Sequence, residues 1–298
     1  MFLRDFKHGV AVHLGGVLFA LLAAAPLPSL GQRAPRPDLP ADPQELVRRV
    51  IANELNTVPQ QRFMYRVTKL KQDGSEVREM VETDDIVIGR LLMLNGKPLS
   101  PDHAARESRR LQRLVDDPDS LREKRKEQQE EDQRVRHMVR ALPDAFIYEY
   151  AGLRPGLYGE LVALNFKPNP HFNPPSRETQ VYRGMQGMME INLPAMRLAR
   201  IEATLVSDVN FGWGILGHLD RGGRFVVEQA PAAAGQWVTT HMVLNFTGKA
   251  LIFKSIKIRL DQSTSDYQQV PRMSVAQAVD LLKKMDGELA RSSGGPAK

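Results

Sequence analysis

The chain of 298 residues has no cysteine. That excludes disulfides, thiolate metal sites, cysteine nucleophiles and anchoring through a lipidated cysteine. Histidine is also scarce, with seven in all. Beyond the first 31 residues they are His103, His137, His171, His218 and His241. None of these pairs at i,i+2 or i,i+4 and no H-E-x-x-H is present, so a zinc site would need ligands from distant segments. There is no G-x-S-x-G, no S-x-x-K and no phosphate-binding G-x-x-x-x-G-K-[ST]. Asp84-Asp85 and Asp116-Asp117 are carboxylate pairs by sequence alone. Neighbouring strand residues point to opposite faces, so Asp84 and Asp85 do not converge, and Asp116-Asp117 reads as helix capping. Internal repeats are absent. No cofactor is expected, and an unrecognised hydrolase stays a minor alternative.

One apolar run stands out. Arg4 and Lys7 precede Val10–Ala25, and Ser29-Leu30-Gly31 follows with small residues at both positions of an A-x-A-like site. This order predicts a secretory signal peptide over residues 1–31. The run is shorter than the roughly 20 residues of a spanning helix, although an uncleaved N-terminal anchor is the alternative. The expected location is periplasmic or secreted. The formal charge of +6 falls to +5 without Arg4, Lys7 and Asp5. It is small and mixed in sign, which argues against nucleic acid and leaves an anionic membrane surface open.

Residues 32–41 read as a Pro-rich linker, 42–291 as a single domain and 292–298 as a disordered tail. Asp42-Pro-Gln-Glu45 predicts a capped helix with a capping box and a stripe of Leu46, Val47, Val50, Ile51 and Leu55. Strands are expected at Arg62–Lys71, Glu76–Thr83 and Ile86–Leu94, with Asp73-Gly74 and Asn95-Gly96 as turns. Later strands are expected at Ala145–Tyr150, Leu161–Phe166, Met185–Asn192, Leu198–Val206, Arg224–Gln229, Gln236–Phe246 and Ala250–Asp261. Gly222-Gly223 and Thr247-Gly248 read as turns. Ser274 with Gln277 caps a last helix.

Residues 100–141 interrupt the strands. Between Ser100 and Arg140 there are 11 Lys or Arg and 10 Asp or Glu in 41 residues. Asp117-Pro118 divides two helices, and Arg122–Arg134 has no apolar residue. Such a helix relies on pairs such as Lys126–Glu130 and Glu130–Arg134. The reading is a protruding charged helical pair, either a solvated spacer or a docking arm for a partner or for headgroups.

Three apolar features remain. Phe211-Gly-Trp-Gly-Ile-Leu-Gly217 sets Phe211, Trp213, Ile215 and Leu216 among three glycines, as a flap over a cavity or as a plug of the sheet. Val238, Thr240, Met242, Leu244 and Phe246 share one face by period two, as do Ile252, Ile256, Ile258 and Leu260. Met185, Met188, Met189 and Met196 cluster, and methionine adapts to irregular apolar shapes. With few amphipathic helices to cover many strands, an apolar concavity lined by Phe166, Phe211, Trp213, Ile215, Leu216, Met242, Leu244 and Phe246 is expected.

Leu164-Asn-Phe166 with its Pro-rich loop, Met185-Gln-Gly-Met-Met-Glu-Ile-Asn192, Leu198-Ala-Arg-Ile-Glu202 and Ser265-Asp-Tyr267 resemble the sheet region of the lipoprotein-carrier superfamily, the LolA/LolB-like fold. Asn192 stands where an aspartate is more usual, and the charged insertion and the FGWGILG loop are extra. The resemblance implies an α+β fold, a curved antiparallel half-barrel sheet with N- and C-terminal helices. It also implies the carriage of acyl chains or acylated proteins. The expectation is a non-catalytic envelope protein that binds a lipid or acylated ligand. The alternative is an envelope interaction module that uses the helical arm to hold another protein.

Overall fold

The structure is a computed structural model that describes residues 39–211, 217–232, 235–250 and 254–293. The expected signal peptide, most of the linker and the end of the tail lie outside the described residues, as do Trp213, Ile215, Leu216 and Ile252.

The chain opens with helix α1 (Pro43–Asn56), then β1 (Arg62–Lys71), β2 (Gly74–Glu82), β3 (Val87–Leu94) and the short β4 (Lys97–Pro98). Helices α2 (Pro101–Asp116) and α3 (Pro118–Ala145) follow. The sheet resumes with β5 (Phe146–Gly156), β6 (Gly159–Pro168), β7 (Met185–Asn192), β8 (Arg197–Leu205), β9 (Val209–Phe211) and β10 (Gly217–Leu219). It ends with β11 (Arg224–Pro231), β12 (Trp237–Ala250) and β13 (Lys254–Val270), before helix α4 (Val275–Ser293). Among the described residues thirteen strands form one antiparallel sheet, in the order β4-β3-β2-β1-β13-β12-β11-β8-β7-β6-β5, with the β9–β10 hairpin attached to β12. Among the described residues the two edge strands, β4 and β5, do not pair with each other, so this is the open, curved half-barrel of an α+β fold.

The local signals explain most element ends. Asp42 accepts the Gln44 N–H at 2.9 Å, while the Glu45 carboxylate turns to Arg49 rather than forming the expected box. Ser274 and Gln277 do form theirs, at 2.9 and 3.3 Å. Asp117 ends α2 and caps α3 by accepting the Asp119 and Ser120 N–H groups; the Ser120 hydroxyl, donating at 2.8 Å, together with these N–H groups holds its carboxyl below the usual range. Asp84 and Asp85 sit in the β2–β3 turn, on Arg272 and Arg125. Ala145 closes α3 instead of opening a strand. Thr247-Gly248 is not a turn. Strand β12 runs through it, and β10 lies so close that a Cβ on Gly248 would meet the His218 carbonyl.

Strand register places the helices on both faces of the sheet. Met64, Val81 and Ile88 stand opposite one another across β1, β2 and β3. They pack with Leu111 and Leu114 of α2 and with Val275, Ala278, Val279 and Leu282 of α4. Val67 and Lys71 point the other way, opposite Thr264 and Leu260 of β13. Leu260 then faces Leu244 of β12, in the main core with Leu46, Val47, Val50 and Ile51 of α1 and with Ala141 and Leu142 of α3. Helix α3, about 42 Å long at ~1.5 Å per residue, therefore passes from one face to the other around the edge of β3.

This corrects the protruding arm. The half-buried residues of α3 include Leu121, Arg125, Gln128, Glu131, Val135 and Met138, a continuous helical stripe whose middle is polar. At the crossing, the Gln128 amide accepts the Val87 N–H at 2.9 Å and donates to the Val87 carbonyl at 2.7 Å. Arg125 pairs with Asp85 at 3.0 Å. The stripe is polar there because it meets a strand edge with unpaired backbone groups, not an apolar face. Lys126 pairs loosely with Glu130, whereas Arg134 pairs with Glu131 rather than with Glu130. Replacing Gln128 by leucine should leave both Val87 groups unsatisfied and cost about 1–3 kcal/mol, read as a lower urea midpoint at an unchanged slope.

Candidate ligand cavity

An apolar cavity of about 210 Å³ lies between the sheet and the α1–α3 layer. Its sheet wall comes from alternating positions: Phe225, Val227 and Gln229 on β11, Met242, Leu244 and Phe246 on β12, Ile258 and Leu260 on β13. Ile201 and Ala203 of β8 and Phe166 of β6 extend it. Val135, Met138, Val139 and Leu142 of α3 cover it, with Ile51 of α1 and with Val181 and Tyr182 from the 3-10 turn Glu178–Gly184. Phe211 of β9 and Leu219 of β10 complete the lining.

The cavity has two chemically different ends. Toward the β5 start, Phe146 packs against Phe166 (ring centroids 4.6 Å) and Tyr182 (5.2 Å). The Tyr182 hydroxyl donates to the Met138 carbonyl at 3.1 Å, and burial raises its pKa. Phe225 and Phe246 belong to the same end of their strands. Toward the other end of β11 and β12, Gln229 and Thr239 are register partners. A bulge beside them brings Thr239 to the cavity in place of Thr240, so the expected period-two face holds for Met242, Leu244 and Phe246 only. The Gln229 Oε1 atom is buried without a hydrogen-bond partner.

Glu54 of α1 borders this polar end and is 1% exposed. Arg197 donates to its two oxygens at 2.9 and 2.7 Å, and the Leu198 N–H adds a bond of 2.9 Å. Burial still outweighs these bonds and keeps the Glu54 pKa raised, as expected when desolvation exceeds Coulombic gain.

Of the residues expected to line a concavity, Phe166, Phe211, Met242, Leu244 and Phe246 come together here and are buried. Trp213, Ile215 and Leu216 fall outside the described residues. Met185 lines the cavity, Met189 lies in the main core and Met196 packs against it. The α3 wall, Val227, Gln229 and Thr239 were not anticipated. The Val135, Met138, Val139 and Leu142 spacing carried a signal for the first of these; a lone Gln and a lone Thr carry none.

The histidines lie elsewhere. His241 sits on the outer face between Asp261 (2.8 Å) and Glu228 (3.5 Å), His218 meets Asp220 and His103 meets Ser100. Among the described residues no group of three or more His, Asp or Glu has metal-binding geometry, and no helix is long and apolar enough to cross a membrane.

Fold and site together define a class: an α+β protein with an open antiparallel sheet curved about an apolar cavity. No family model, curated protein or solved structure matches the chain.

Proposed function

We propose that this protein binds a lipid or acylated ligand, without catalysis, in the cavity between β11–β13 and the α1–α3 layer. The observation that carries the reading is the lining itself, which is predominantly apolar, with a few polar residues such as Glu54, Gln229 and Thr239 among it. An acyl chain placed there gains roughly 0.8 kcal/mol per buried methylene, so affinity needs no special motif. The residue pattern of 1–31 supports action in the bacterial envelope, and the sheet-region resemblance to lipoprotein carriers supports a carrier role.

Native mass spectrometry of the chain purified from its own envelope without detergent tests this. Adducts with lipid or acyl masses are the expected result. A clean apo mass with no uptake of a fluorescent fatty acid would overturn it and favour an interaction module. A cavity-filling Val227→Phe variant should keep the fold and lower acyl-probe affinity about tenfold or more, measured by fluorescence titration.

A further inference from the structure

We infer that one end of the sheet docks on the surface of a phospholipid bilayer through four uncharged loops, without preference for anionic lipid. Such docking goes beyond ligand binding in the cavity and does not depend on it.

Strand register brings the loops to one end. Leu161 stands opposite Asn192, Asn192 opposite Arg197, Arg200 opposite Glu228 and Arg62 opposite Val270. The β5–β6, β7–β8, β11–β12 and α1–β1 connections therefore share that end of the sheet. Contacts tie them together. Trp237 opens β12, and its ring meets that of Tyr158 edge-on at 6.4 Å. The Asn192 side chain donates to the Tyr158 carbonyl at 3.0 Å. Asn53, in the last turn of α1, donates to the Met196 carbonyl at 3.0 Å.

The composition of these loops is distinctive. Residues 57–61 (TVPQQ), 155–159 (PGLYG), 193–196 (LPAM) and 231–236 (PAAAGQ) contain no Asp, Glu, Lys or Arg. Each holds one proline, and so one backbone donor fewer to keep hydrated. The connections at the opposite end instead carry Asp73, Arg177, Asp208 and Arg221. Charges bordering the four loops are engaged. Arg154 pairs with Glu190 and Arg197 with Glu54, while Arg62 donates to the Pro59 and Thr83 carbonyls.

The same loops expose apolar side chains. Leu157 is 88% exposed, Val58 58% and Tyr158 49%. Exposed apolar groups among uncharged neighbours enter a headgroup layer without stripping water from a charge. Tyrosine and tryptophan favour that layer, and the hydrated loop backbone limits the depth to it. Leu198, which lines the cavity, follows the 193–196 loop by two residues. A docked chain thus holds the cavity close to the bilayer.

The absence of cysteine makes single-site labelling of the full chain direct. Leu157→Cys and Val58→Cys each take one nitrobenzoxadiazole label. Leu70→Cys, at the opposite end and 54% exposed, is the control. On addition of dioleoyl phosphatidylcholine vesicles, emission at positions 157 and 58 should rise and shift to shorter wavelength, and at position 70 it should not change. Adding dioleoyl phosphatidylglycerol should move the half-saturating lipid concentration by no more than about twofold, since the loops carry no Lys or Arg. Leu157→Glu in the chain labelled at position 58 should raise that concentration about tenfold at an unchanged melting temperature. No response at 157 and 58, an equal response at 70, a response that needs the anionic lipid, or a Leu157→Glu chain that binds as before would each overturn the inference. Lipid adducts in the native mass spectrum would stand in any of these cases, so docking and cavity binding fail separately.

Discussion

Arg197→Met is expected to destabilise the fold by about 3–5 kcal/mol, the usual cost of leaving a buried charge without its partner. Glu54 is almost fully buried, and Arg197 supplies two of the three hydrogen bonds given to its oxygens. The loss should depend on pH. The Glu54 pKa is already raised in the folded chain, so the folded state holds that proton more tightly than the unfolded state does. Its contribution is complete below about 4.5, the ordinary carboxylate value, and declines as pH rises through the folded pKa. Without Arg197 the pKa rises further, so the variant should lose most at neutral pH and recover on acidification. Thermal melts from pH 4 to 8 measure this. The double change Glu54→Leu with Arg197→Met should recover most of the loss, since an apolar pair replaces a buried ion pair with little penalty. Equal destabilisation at every pH would show that the loss comes from packing rather than from the stranded carboxylate.

Phe146→Ala should be comparably costly, about 3–5 kcal/mol. Phe146 is 2% exposed and its ring contacts those of Phe166, Tyr182 and Tyr148. At roughly 2–4 °C per kcal/mol for a domain of this size, the melting temperature should fall by about 10 °C. The same ring borders the cavity, so its removal adds space at the aromatic end. At temperatures where the variant is folded, its chain-length preference should shift toward longer acyl chains. A drop in stability with no shift in preference would place the tail elsewhere in the cavity.

Much of the fold was legible because local chemistry decides it. The hairpin signalled by Asp73-Gly74, which turns at Gln72-Asp73 with Gly74 opening β2, the cap at Asp42, the break at Asp117-Pro118 and the box at Ser274–Gln277 act through atoms a few residues apart. Alternation in Leu161–Phe166 and Met185–Asn192 marks strands for the same reason: one face of each meets the core. The candidate site was half legible. Phe166, Met242, Leu244 and Phe246 follow from period two, but the bulge near Thr240 depends on how β11 pairs with β12, and it exchanges Thr240 for Thr239.

The charged run in α3 shows the limit most clearly. From composition, a helix without apolar residues over Arg122–Arg134 has nothing to bury and should stand in solvent. In the fold it crosses the edge of β3, where the Val87 N–H and carbonyl need polar partners and Gln128 supplies both. The sequence by itself determined the elements, their caps and the apolar faces, since these depend on spacing along the chain. Only the tertiary structure decided that the helices cover both faces of the sheet. It alone set the polar end of the cavity at Gln229 and Thr239 and joined Glu54 to Arg197, because those depend on strand register and on contacts between residues far apart in sequence.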